Sequence, residues 1–142
     1  MQNTKYADSG KDAIRILVVE DDQNFREILS SHLRTISNDA KISSCASGSD
    51  ALFLLHTRKY DLMIFDQNLE GSICGKRLWE ICQKQFPSLP TILMSGIGIE
   101  NFIKLFKSRS ACPAFLPKPF RSHELREAVQ NILTSKSQKM AA

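Results

Sequence analysis

Long apolar runs are missing from this sequence. No stretch approaches the roughly 20 residues that a membrane-crossing helix needs. The opening segment, MQNTKYADSGKDA, has none of the apolar core of a secretory leader. A membrane partner is therefore not expected, and a cytoplasmic location is. Cysteine is sparse: Cys45, Cys74, Cys82 and Cys112 form no CxxC pair and no zinc-type spacing. They read as free, mostly buried thiols of a reducing compartment. His32, His56 and His123 stand far apart and make no ligand motif. Basic clustering is absent too. The net charge is +4, yet no run of five basic residues occurs, and Lys136 and Lys139 place part of the excess at the C-terminal end. Nothing marks a nucleic-acid reader, so none is expected within this chain.

What remains is ordinary globular material. The 142 residues are 42% hydrophobic and 24% charged, which suits one domain with one real core. The first dozen residues are polar and are expected to be a flexible tail over 1–13. A domain is expected over 14–135, with a short tail over 136–142.

Within the domain, strand-like and helix-like segments alternate. Ile14–Glu20 (IRILVVE), AKISSCAS, DLMIFD, PTILMS and CPAFLPK read as strands. Between them the apolar residues recur at helical spacing. Phe25, Ile28, Leu29, His32 and Leu33 form the first stripe, with Asp22 as its N-cap. Ala51, Leu54 and Leu55 belong to the second; Leu78, Ile81 and Cys82 to the third; Ile99, Phe102, Ile103 and Phe106 to the fourth, which extends to Arg109. Leu125, Ala128, Val129, Ile132 and Leu133 form the last, with Ser122 as a candidate cap. Trp79 and Leu105 lie off these stripes and read as scattered surface apolar residues. Five strands alternating with five helices predict an α/β, doubly wound fold with a parallel sheet covered on both faces.

In such sheets ligands bind beyond the carboxyl ends of the strands. The chemistry-bearing residues collect there. The first strand ends in Glu20-Asp21-Asp22, the third in Asp66, the fourth in Ser95-Gly96 and the fifth in Lys118-Pro119. Crowded carboxylates repel, and a hard cation such as Mg²⁺ would bridge them through oxygen ligands. Asp66 could then act as a nucleophile toward phosphorus, with Lys118 neutralising charge and Ser95 donating a hydrogen bond.

These four motifs (ILVVEDD, IFDQNLEG, ILMSG and FLPKPF, in this order) resemble the receiver domain of two-component response regulators. The resemblance implies a flavodoxin-like (βα)5 fold with strand order 2-1-3-4-5. It implies that Asp66 is the phosphoacceptor. Glu20 and Asp21 would hold Mg²⁺ together with Asp66 and the backbone carbonyl of Asn68. Lys118 would pair with the phosphoryl group, Ser95 and Phe115 would switch, and the Lys118-Pro119 bond would be cis. The implied role is signalling by self-phosphorylation and dephosphorylation, not catalysis on a separate substrate. Implied partners are a sensor histidine kinase or histidine phosphotransfer protein and a downstream protein bound through the fourth helix, fifth strand and fifth helix. A homodimer is a further possibility. Only KSQKMAA follows Ser135, so output is expected through a partner or a relay.

The chain departs from the family pattern at three points. Glu70 stands where a proline is common, Gly96 where alanine is usual, and Phe115 where many members have tyrosine. An alternative is a receiver-shaped interaction module that works without phosphorylation. A phosphatase of the haloacid dehalogenase type would need an acid at position 68, where Asn68 stands. A flavodoxin-like nucleotide binder would need a phosphate-cradling loop after the first strand, and EDDQNF would repel one.

Overall fold

The computed structural model describes residues 13–106 and 112–141. Apart from Ala13, the expected N-terminal tail lies outside them, as does the end of the expected fourth helix from Lys107 to Arg109. Five strands are present: β1 (Arg15–Val19), β2 (Lys41–Cys45), β3 (Leu62–Asp66), β4 (Thr91–Ser95) and β5 (Ala114–Pro117). Five helices alternate with them: α1 (Gln23–Ile36), α2 (Gly48–Thr57), α3 (Gly75–Gln85), α4 (Ile99–Phe106) and α5 (Ser122–Ala141). Every strand pair is parallel, in the order β2-β1-β3-β4-β5. The expected α/β fold with order 2-1-3-4-5 is therefore the one observed. α5 runs on to Ala141, past Ser135, where the domain is expected to give way to a short tail.

The two-residue period of the strands divides the core into two layers. Leu17, Val19, Met63, Phe65 and Leu93 point to one face and pack with Ala51, Leu55, Leu78, Cys82, Phe102 and Phe106 from α2, α3 and α4. Ile16, Val18, Leu62, Ile64, Ile92 and Met94 point to the other and meet Leu29, Leu33, Leu125 and Val129 from α1 and α5. β3 and β4 are buried at every position because strands and helices cover them on all sides. β2 and β5 are the sheet edges. β2 is polar, KISSC, and only half-buried, while β5 ends in a proline.

Five residues on the helices lie otherwise than their spacing predicts. Ile28 is 54% exposed and His32 is also exposed. The inward line of α1 runs through Phe25, Leu29, Leu33 and Ile36, and one residue back along a helix is a turn of about 100° away from it. Ile99, the first residue of α4, is 52% exposed because it lies at the rim, next to the Gly96–Gly98 loop. Trp79, by contrast, is buried, its ring meeting the edge of Phe106 at 5.2 Å between centroids. The neighbouring α4 covers a flank of α3 that helical period alone assigns to solvent. Leu105 is half-buried against the same layer.

The helix starts follow local chemistry. Asp22 caps α1, its Oδ1 accepting the Phe25 N–H at 3.1 Å. Ser47 caps α2 through the Asp50 N–H at 3.1 Å. Ser122 does not cap α5: Glu124 Oε1 accepts the Arg121 N–H at 2.7 Å instead, and the Ser122 hydroxyl meets His32 Nδ1 at 3.4 Å. The cysteines divide as well. Cys82 is buried and Cys45 half-buried, but Cys74 is exposed, contrary to its expected burial. Among the described residues no helix is long and apolar enough to cross a membrane.

Two outcomes are expected. Leu93→Ala, in the fully buried β4, lowers stability by about 2–5 kcal/mol in urea unfolding, whereas Phe53→Ala at an exposed site stays within about 0.5 kcal/mol. Burial pushes the Cys82 thiol up to about 12, and burial followed by the Asp50 charge pushes Cys45 up to about 11. A raised thiol pKa favours the neutral form in the folded state. This stabilisation is complete below the ordinary value of 9.0 and is lost as pH rises through about 11 and then 12. Iodoacetamide at pH 8 should label Cys74 in the folded chain and reach Cys45 and Cys82 only after denaturation, as read by peptide mass.

Candidate functional site

The strand order reverses direction between β1 and β3, and the carboxyl ends of these strands form the crevice expected at such a switch point. Glu20 follows β1 and is 1% exposed; Asp66 ends β3 and is 5% exposed. Asp21 is half-buried beside them. Carboxylate oxygens of all three lie within 4.8 Å of one another. Lys118, just past β5, reaches across β4 to this cluster. Its Nζ donates to Asp66 Oδ2 at 2.5 Å and to Glu20 Oε1 at 3.0 Å. Charge-assisted pairs of this kind are what allows buried carboxylates to persist.

Backbone donors hold the remaining oxygens. Asp66 Oδ1 accepts the Asn68 N–H at 3.0 Å, and Glu20 Oε2 accepts the Asp22 N–H at 3.1 Å. Burial, opposed by the Asp22 amide and reinforced by the adjoining Asp66, pushes the Glu20 carboxyl up to about 7. Burial works to lower the Lys118 ammonium, but the hydrogen bonds and charges of Asp66 and Glu20 outweigh it and hold its pKa above the usual lysine value. Three carboxylates thus face one ammonium. The excess of acid, the oxygen-only donor set and the spacing fit a hard divalent cation such as Mg²⁺.

Of the sequence-predicted residues, Glu20, Asp21, Asp66, Asn68 and Lys118 come together here. Ser95 ends β4 fully buried, but among the described residues its hydroxyl makes no hydrogen bond to Asp66 or Lys118. It accepts the Ile97 N–H at 3.2 Å, and its carbonyl accepts the Lys118 N–H at 2.8 Å. Phe115 is half-buried away from the acids, stacked on Phe102 at 4.3 Å between centroids. The Lys118-Pro119 bond is cis. Asp22 serves as cap and amide donor rather than as a member of the acid cluster.

Sequence reasoning missed three contributors. Arg26 Nη1 donates to the Glu20 carbonyl at 2.6 Å and so fixes the end of β1. The Phe25 ring lies under Lys118, with Nζ 4.5 Å from its centroid. Gly75 opens α3 against the backbone that carries Asp66: a Cβ there would stand 2.5 Å from the Asp66 carbonyl oxygen and 2.6 Å from Gln67 Cα. The only signal in the sequence was a glycine at a helix start. The loop between β3 and α3 turns at Gly71, whose φ of +95° favours glycine. It borders a shallow cleft of about 260 Å³ lined by Asp21, Gln67, Asn68, Leu69, Glu70 and Cys74. A larger groove of about 750 Å³ opens at the amino ends of β4 and β5, by Trp79, Leu89 and Pro113, and among the described residues no charged side chain lines it.

The family model described as the response regulator receiver domain matches residues 16–130. A two-component response regulator from Arabidopsis thaliana, ARR11, is 33% identical over 129 residues, covering 89% of this chain and 24% of its own length. The receiver domain of the Francisella response regulator 1452 superposes with a TM-score of 0.74 at 28% identity, covering 86% of this chain and 98% of that one. NtrX from Brucella abortus gives a TM-score of 0.80 at 27% identity, covering 92% of this chain and 29% of its own. The chain belongs to the response regulator receiver domain family, a family of signalling modules rather than conventional enzymes. It spans about a quarter of the length of relatives such as ARR11.

Gly75→Ala is expected to cost about 1–3 kcal/mol, because backbone rather than a flexible side-chain end must give way. Thermal unfolding should register the loss. Amide shifts in a ¹H–¹⁵N spectrum should move most for Asp66 to Leu69.

Proposed function

We propose that this chain is a phosphorylation-controlled switch of the cytoplasm, with Asp66 as the phosphoacceptor. The observation that carries the reading is the Lys118 ammonium shared by two buried carboxylates, Asp66 and Glu20, with Asp21 beside them. A strand-end acid positioned in this way has a nucleophilic oxygen, a cation to receive new charge and fixed amides behind it.

The donor in this reading is a phosphohistidine on a sensor kinase or histidine phosphotransfer protein. An Asp66 carboxylate oxygen attacks phosphorus and a P–O bond forms. The P–N bond to the donor imidazole breaks, and its electron pair stays on the ring nitrogen. Lys118 pairs with the transferred group and offsets its charge. Glu20, Asp21, Asp66 and the Asn68 carbonyl are the residues that would hold Mg²⁺, which when bound supplies charge neutralisation at the phosphoryl oxygens. Hydrolysis reverses the modification: water attacks phosphorus, the acyl C–O–P linkage opens at the P–O bond, and carboxylate and inorganic phosphate are released.

The new group adds roughly two negative charges. Lys118 then leaves its resting partners for the phosphoryl oxygens, Ser95 turns its hydroxyl toward them, and Phe115 leaves its stack on Phe102 and turns inward. The change is read by a partner protein, or by a second copy of the chain, on the face of α4, β5 and α5.

Intact mass after incubation with acetyl phosphate tests the reading. Wild type with Mg²⁺ should gain one phosphoryl adduct. Asp66→Asn should gain none, and chelation of Mg²⁺ with EDTA should suppress the wild-type adduct. An unmodified wild type, both with acetyl phosphate and with a histidine-phosphorylated donor, would favour an interaction module that works unphosphorylated.

A further inference from the structure

Lys118 has a third neighbour that the acid chemistry does not account for. Its ammonium carries three N–H donors. Two are directed at Asp66 and Glu20. Its other side rests on the face of Phe25, 4.5 Å from the ring centroid. Phe25 comes from the first turn of α1. Its backbone is pinned by the Asp22 cap, and its ring meets Phe120 edge-on at 5.9 Å and 68°. Lys118 and Phe120 are two residues apart, so both ends of that short segment bear on the same ring.

We infer that Phe25 is a positioning residue for Lys118: its ring face seats the ammonium, and the aromatic character of this position sets how well Lys118 serves phosphoryl transfer. The inference rests on the phosphoacceptor reading above. A ring face attracts a cation through its quadrupole but accepts no conventional hydrogen bond. It therefore holds Nζ in place without diverting a donor from the carboxylates. A polar residue at 25 would compete for one of the three donors. A leucine would fill much of the volume and leave the ammonium without its attractive seat. The seat also persists when the acids change. Charge at Asp66 moves outward onto a phosphoryl group, whereas the ring is fixed in the first turn of α1.

Phe25 also packs against the α1/α5 layer of the core, so the test must separate seating from packing. The phosphorylation rate with acetyl phosphate and Mg²⁺ is measured for wild type, Phe25→Leu, Phe25→Tyr and Phe25→Trp, each below its thermal midpoint. Phe25→Leu should be slower by about three- to tenfold, the range a half-buried cation–π contact commands. Phe25→Tyr or Phe25→Trp should restore the rate. Independently, the Lys118 ε-methylene protons should resonate upfield in the wild type from the ring current and return toward the free-lysine position in Phe25→Leu. A Phe25→Leu rate equal to wild type, or losses in the aromatic variants as large as in the leucine variant, would overturn the inference. So would lysine shifts that do not respond. A wild type that takes up no phosphoryl group would overturn the phosphoacceptor reading and this inference together, an outcome distinct from indifference to residue 25.

Discussion

One ammonium joins the ends of three strands. Lys118, beyond β5, is bonded at once to Asp66 at the end of β3 and to Glu20 after β1, crossing β4 to do so. Without it, Glu20 and Asp66 would be neighbouring buried anions, an arrangement that costs several kcal/mol per unpaired ion. Much of the surrounding architecture supports this contact. Arg26 holds the Glu20 carbonyl, the Asn68 and Asp22 amides occupy the outer carboxylate oxygens, and the Ser95 carbonyl anchors the backbone N–H of Lys118. The side chains of the site are therefore constrained from β1, β3, β4 and α1 together.

The pairing also explains why the site is poised rather than simply stable. The Glu20 carboxyl, pushed up to about 7 by burial and by its acidic neighbour, shows that one lysine does not fully satisfy the cluster. Any added cation finds oxygens in want of charge, and any anion added at Asp66 finds an ammonium already in place. Ser95 and Phe115 stand apart from this core. The serine hydroxyl is turned to its own loop at Ile97, and the phenylalanine is stacked on Phe102. Their resting partners are local and weak compared with a buried ion pair, which fits the rearrangement proposed for them.

The strands and their order were legible because central parallel strands, covered on both faces, must be continuous apolar runs, as LMIFD and TILMS are. Their polar ends were legible for the same reason: an acid such as Asp66 interrupts the run only where the sheet ends. Details set between elements were not legible. Helical period places Trp79 on the outside because it knows nothing of α4, it places Ile99 inside because it knows nothing of the rim, and it does not separate Ile28 from the inward line one residue away. Gly75 matters only through the approach of two backbones, and Phe25 only through a lysine 93 positions away in the chain. The residue types that hold charge announced themselves. Those that hold the charge-bearing side chains in place are apolar or small, and look like any other core or helix-start residue.

The two edge strands bear on how this protein meets others. β2 has only five residues and presents Lys41, Ser43 and Ser44, and β5 has four and ends in Pro117, which has no N–H to give. Short, polar or proline-ended edges are poor templates for another strand. The central sheet is thus insulated from recruitment into a larger sheet or a fibril, although its interior strands are among the most apolar segments of the chain. Contact with other molecules is left to side-chain surfaces rather than strand addition, and such surfaces can come apart again, as a signalling module requires.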